Sequence, residues 1–237
     1  MNNKSLVAAK INFRNVKLAY ILTAIVIGGI LLQDLIMFIL YRAGVYSNPE
    51  DNMTVSLGNY LYLLVLMISV FIPSRNFRKM MNLGGKRTDF FKGCAVNYII
   101  MAAVISFVAI VLYYTYDRLV VSIFYRGGTL DVLYWFGWTN NGVVVAFFRQ
   151  FAFLLLLAVA VHTLTAAQEK WYGWLADVVI VAIISVFTPI APLRSALVWF
   201  LALIINHSNA FVQISACLIL SIGIYSLNKL IFARKVI

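Results

Sequence analysis

The sequence predicts an all-α polytopic membrane protein: six spans with both termini cytoplasmic, in a single transmembrane domain over residues 1–237. Three observations carry this. Hydrophobic residues make up 63% of the chain and charged residues only 11%, with a mean hydropathy of +0.93; a soluble chain carries roughly a quarter charged residues. Six apolar runs are each close to the ~20 residues that cross a hydrocarbon core. Lysine and arginine divide unevenly between the connecting segments, as topology demands. All spans are expected to be helices, because a lipid-exposed loop or strand edge leaves its backbone polar groups unsatisfied.

In chain order, residues 5–20 interleave Leu6, Val7, Ile11, Phe13 and Val16 with Lys10, Arg14 and Lys17. That pattern reads as an N-terminal interfacial helix, with a disordered basic tail as the alternative. Span one covers 18–41; it is too long for a signal-peptide core and lacks a small-residue cleavage site, so it reads as retained. Span two covers 57–73 and ends at Pro73. Spans three to six cover 90–116, 143–166, 174–190 and 210–231.

This order puts fourteen of the nineteen lysines and arginines on one side. The other side holds Arg42, Arg118, Arg126, Arg149 and Arg194, and no lysine. The richer side is expected in the cytoplasm. The net charge of +11 therefore belongs to span ends and lipid head groups, not to nucleic acid.

On the other face, segment 117–142 holds Phe124, Tyr125, Tyr134, Trp135, Phe136 and Trp138. This density fits an interfacial aromatic belt or a substrate-contacting surface. Gly127-Gly128 and Asn140-Asn141-Gly142 mark turns. Between spans five and six, Pro189 and Pro192 end one helix and permit another, and 193–205 is only about half a span. A re-entrant helix pair between spans 5 and 6 is expected there; one long kinked span is the alternative.

The search for chemistry is negative. There is no GxxxxGK[ST], HExxH, GxSxG or SxxK, and in Gly84-Gly85-Lys86-Arg87 an arginine stands where a P-loop needs Ser or Thr. Cys94 and Cys217 lack a metal spacing. His162 and His207 lie at different depths, and His162 reads as a hydrogen-bonded packing residue rather than a proton relay. The chain reads as a non-enzyme with no cofactor or metal of its own. Asp34 and Arg149 lie about 10 Å below the outer surface. They pair, snorkel separately, or Asp34 pairs with Arg42.

The most patterned segment is 74–93, in which Arg75, Arg78, Lys79, Lys86, Arg87 and Lys92 face the single acid Asp89. Ser74 is placed to cap a short helix over 75–83, with Phe77, Met80, Met81 and Gly84 on one face and Arg75, Arg78, Lys79 and Asn82 beside it. Gly84-Gly85 stops it, and Thr88 is placed to cap span three with Asp89 in its first turn. Such a helix either docks in a partner's groove or lies flat on the inner leaflet.

The layout resembles the permease (membrane) subunit of a type-2 ATP-binding cassette exporter. That family has an inner-surface elbow helix, six spans, a cytoplasmic coupling helix between spans 2 and 3, and a re-entrant pair between spans 5 and 6. Met80 to Gly93, MMNLGGKRTDFFKG, is similar to the family's run of helix, small-residue break, arginine, apolar pair and glycine; the matching positions are Gly85, Arg87, Phe90, Phe91 and Gly93. Where many members carry a glutamate near the start of this helix, this chain has Arg75 and Arg78. The resemblance implies a multi-pass permease half in a bacterial plasma membrane, in a homo- or heterodimer with a second permease subunit. It further implies two separate ATPase subunits that carry ATP and magnesium and contact Arg75, Phe77, Arg78, Met80, Met81, Gly85, Arg87, Phe90 and Phe91. The aromatic outer segment fits outward movement of an amphipathic cargo: a peptide, drug or lipid-like molecule. The alternative is a stand-alone membrane immunity or sensor protein, or a secondary carrier, although carriers carry chains of intramembrane acids and inverted repeats.

Overall fold

Long runs of Leu, Ile, Val and Phe satisfy their backbone in hydrocarbon by coiling into helices, and helices dominate the chain. The structure, a computed structural model, describes residues 3–45, 54–124, 129–168 and 170–234. Among the described residues, five helices are long and apolar enough to cross a membrane, or six if one bent pair counts as a span. The chain is thus an all-α, multi-pass membrane protein.

Helices α1 (Asn3–Asn15) and α2 (Lys17–Arg42) part at Val16, dividing the helix expected over 5–20. The packed face of α1 is Ala8, Ala9 and Asn12, while Val7 and Phe13 stay exposed. Small residues hold that face because α1 crosses α5 (Arg87–Leu112) at Gly93, where an added Cβ would stand 3.0 Å from Ala8 Cβ. Only alanine against glycine permits so close an approach of two helices.

After the short strand β1 (Thr54–Val55), α3 (Leu57–Phe71) does not end at Pro73. A π-helical turn, Ile72–Asn76, carries the chain into α4 (Phe77–Asn82), so that 57–82 forms one 26-residue candidate span. Proline has no N–H to offer and its ring crowds the carbonyl four residues back. The wider register, with Phe77 N–H reaching Ile72 O, lets the helix bulge past the ring rather than break. Ser74 caps nothing: its hydroxyl donates to Val70 O at 2.6 Å. The separate short helix expected after Pro73 is instead the continuation of span two.

The stop at Gly84-Gly85 is a left-handed turn. Gly84 has φ +77°, its N–H donates to Met81 O at 2.9 Å, and Gly85 N–H donates to Met80 O at 3.0 Å. This pair of bonds satisfies the last carbonyls of α4. Helix α5 begins one residue after Lys86, so Thr88 lies inside its first turn beside Asp89 rather than capping it. A second π-helical turn, Tyr113–Asp117, leads into α6 (Arg118–Phe124). The resulting span, Arg87–Val120, has 34 residues against the 27 expected over 90–116. At about 50 Å it outruns a hydrocarbon core of about 30 Å. The turn expected at Gly127-Gly128 lies outside the described residues.

Strand β2 (Thr129–Leu130) pairs in parallel with β1. Then follow α7 (Val132–Trp135), a 3-10 turn at Trp138–Asn141, α8 (Val143–Ala167), α9 (Trp171–Phe187), α10 (Ala191–Ile205) and α11 (Ala210–Arg234). Helix α8 is the hub, packed against α3, α5 and α11. Asn228 of α11 donates to Thr163 Oγ1 of α8 at 2.7 Å, a polar tie between two apolar helices. The core is built from Val65, Ile68, Phe77, Phe90, Tyr98 and Leu154.

Segment 188–209 holds one helix, α10, where a pair was expected. Helices α9 and α10 meet at a short break and are bent by 120° there. Pro192 sits in the first turn of α10, where its missing N–H costs nothing. Helices α2, α9 and α10 expose long apolar faces, including Ile25, Leu32, Val178 and Trp199.

Candidate functional site

The lysine-rich end of the bundle is built around α4. Its aromatic residue is anchored: the Phe77 ring centroid lies 5.3 Å from Phe90 of α5 and 4.9 Å from Phe232 of α11, and all three rings are buried. Arg87 Nη1 donates to Phe232 O at 3.1 Å, tying the start of α5 to the end of α11. Phe91 stacks on Tyr225 at 4.3 Å. Gly85 lies over Met80, where a Cβ would meet Cγ at 2.7 Å.

The apolar face of α4 is buried within the chain. Phe77 and Phe90 are buried against each other and against Phe232 of α11, and Met80 and Met81 are buried in the same core, Met80 bordering Ile11 and Arg14. Phe232 closes a three-ring cluster with Phe77 and Phe90. Arg75, Arg78 and Lys79 are what α4 and its π turn offer to the surroundings, with Leu83, 81% exposed, at the tip of the turn.

Across from them stands the end of α1. Asn12 locks it in place: its Nδ2 donates to Cys94 Sγ at 3.6 Å, and its carbonyl accepts from Asn76 Nδ2 at 3.4 Å. The cleft between α1 and α4 has adjoining lobes of 380 and 610 Å³. Arg14, Lys17, Arg75 and Lys79 line it, and among the described residues no acid does. Like charges held together in a concave surface focus potential on an anionic partner. The convergence of Arg14 and Lys17 on Arg75 and Lys79, and the exposed Leu83, were not foreseen; the run Ala8-Ala9 opposite Gly93 was the signal that α1 docks there.

Asp34 and Arg149 do not meet. Asp34 Oδ2 accepts from Tyr116 O–H at 2.9 Å. Arg149, buried in α8, donates to Gly137 O at 3.2 Å and to His207 O. It faces the 3-10 turn and the α10–α11 connection, while α2 packs on α3. The aromatic segment is also divided. Tyr134 and Trp135 are exposed, as a belt would be. Trp138 is fully buried, and its indole N–H donates to Ile205 O at 2.5 Å, satisfying a carbonyl at the end of α10. His162 is fully buried, with Nδ1 at 2.5 Å from Tyr98 O–H.

The end away from the lysines is clasped by acids. Ser56 caps α3 by accepting from Gly58 N–H at 3.2 Å, and Asp131 caps α7 by accepting from Leu133 N–H at 2.5 Å. Asn59 bridges the two, donating to Leu130 O at 2.8 Å and accepting from Val132 N–H at 3.1 Å. Asp117 and Asp131 are both almost fully buried, and each leaves its Oδ2 without a hydrogen-bond partner. Burial holds the Asp131 carboxyl above the ordinary carboxylate range, only partly offset by Ser56 and the Leu133 N–H. A raised folded value stabilises the fold most below the unfolded value of about 4 and loses that contribution as pH rises through the folded one. Asp131→Asn keeps the cap and needs no proton. Its melting temperature is expected to exceed the parent's at pH 8 and to vary less between pH 5 and 8; parallel melting curves would contradict the raised Asp131 carboxyl.

No family model, curated protein or solved structure matches the chain.

Proposed function

We propose that this chain is the permease subunit of an ATP-driven exporter of the type-2 ATP-binding cassette kind, with force entering at the basic corner formed by residues 75–87. One observation carries the reading. Arg75, Arg78 and Lys79 are exposed, while Phe77 between them is welded by Phe90 and Phe232 into α5 and α11. A partner with an acidic surface finds a grip on the outside, and a push there passes through packed rings to two spans. On this reading the lysine-rich end and both termini are cytoplasmic, in a bacterial plasma membrane. Two separate ATPase subunits bind ATP and magnesium at the corner. A second permease subunit completes the pathway, for which the exposed apolar faces of α2, α9 and α10 leave room beside lipid. The cargo is amphipathic and moves outward, as in peptide export.

Asp117 ends the π turn near one end of the span Arg87–Val120 and Asp131 caps α7 outside the candidate spans, a placement that does not favour a proton-driven carrier. Purification of the tagged chain from its native membranes should recover a Walker-motif ATPase whose hydrolysis rises on reconstitution with the chain in liposomes. A chain that purifies alone, and whose transport follows a proton gradient without ATP, overturns the proposal.

A further inference from the structure

We propose that the groove between α5, α8 and α11 binds an anionic phospholipid, one acyl chain lying in the groove and the phosphate held by Lys92 and Lys229. The groove encloses about 240 Å³ and is walled by Ala95 and Ile99 of α5, Val159 of α8, and Ile222 of α11, with the rings of Tyr98 and Tyr225 in its floor.

Its few polar groups are already engaged. Tyr98 O–H meets His162 Nδ1, and Tyr225 O–H donates to Phe91 O at 2.5 Å. The Ser221 and Ser226 hydroxyls donate to carbonyls of their own helix at 2.6 and 2.7 Å. An occupant finds no hydrogen bond there, which suits hydrocarbon and excludes a polar ligand.

The lysines supply the other half of the site. Lys92 stands seven residues from Ile99 and Lys229 seven from Ile222, two helical turns in each case, so both lie on the groove-bordering line of their helices. The two helices run antiparallel, with Phe91 against Tyr225 and Arg87 on Phe232 O, which brings both lysines to the same end of the groove. Both side chains are exposed. Paired cations at the mouth of an apolar groove, at the level where spans end, match a lipid phosphate over its chain. A zwitterionic choline headgroup brings its own cation and fits less well. The inference requires that the chain crosses a membrane and does not depend on ATP-driven export.

Native mass spectrometry of the full chain in detergent, with phosphatidylglycerol and phosphatidylcholine of identical acyl chains, tests it. Phosphatidylglycerol is expected to bind more tightly. The Lys92→Gln/Lys229→Gln variant should lose roughly 30-fold in phosphatidylglycerol affinity and nothing for phosphatidylcholine. Ala95→Phe, which fills the groove, should weaken both lipids. Unchanged phosphatidylglycerol affinity in the lysine variant overturns the proposal, and because both lysines are exposed this arm does not depend on Ala95→Phe folding. A change of oligomeric state in Ala95→Phe with lipid affinity intact assigns the groove to a second chain and overturns it equally.

Discussion

Truncating Phe77 to alanine is expected to lower the unfolding free energy by about 3–5 kcal/mol. The ring is fully buried, and its removal leaves Phe90 and Phe232 facing a void at the junction of α4, α5 and α11. Those two rings lie 5.6 Å apart edge to face and cannot fill the space without giving up that contact. Lys79→Ala, two residues further on but exposed, should change stability by less than about 0.5 kcal/mol. Denaturation in micelles followed by tryptophan fluorescence separates the two. A Phe77→Ala variant as stable as Lys79→Ala would mean that the ring cluster does not hold the corner. If the corner receives force, the same variant should still capture the ATPase yet fail to stimulate it, because capture uses exposed side chains and transmission uses the ring.

Hydropathy located most spans well, because the thickness of a hydrocarbon core and the flanking Gly and Asn turns bound them from both sides. Helix α8 was expected over 143–166 and runs Val143–Ala167; α11 was expected over 210–231 and runs Ala210–Arg234. Pro73 shows where local rules stop. Whether a proline ends a helix or bulges it depends on what packs around the bulge, here Asn12 against Asn76. The apolar face of α4 was legible from its spacing, but not what covers it, since Phe232 lies 155 residues further along the chain than Phe77. Asp34 and Arg149 matched in depth, and depth is all that a position along a helix reveals. Their azimuths differ, and Arg149 turns toward the carbonyls of Gly137 and His207. The basic cleft was illegible for the same reason: Arg14 and Arg75 converge only because Ala8 can ride against Gly93.

Replacing Arg75, Arg78 and Lys79 together by glutamate should abolish capture of the ATPase while leaving the melting temperature nearly unchanged. All three side chains are exposed and stand outside the buried ring cluster, so the substitutions leave the core packing in place. Repulsion from Arg14 and Lys17 across the cleft is relieved rather than created. For an acidic partner the potential changes sign, and like charges brought together at a docking surface cost several kcal/mol. Salt distinguishes this from a general loss of shape. Screening length falls from about 10 Å at 0.1 M to about 3 Å at 1 M, so parent capture should weaken steeply over that range. What survives at high salt should depend on Leu83, the apolar tip, and disappear in Leu83→Ser. Pull-downs across a salt series read both effects. A triple variant that captures the ATPase as well as the parent would move the docking surface elsewhere and leave the basic cleft without its assigned partner. The two lesions are separable in principle: charge reversal removes the grip with the ring cluster intact, and Phe77→Ala removes the linkage with the grip intact. Only a chain moved from outside at this corner yields both phenotypes.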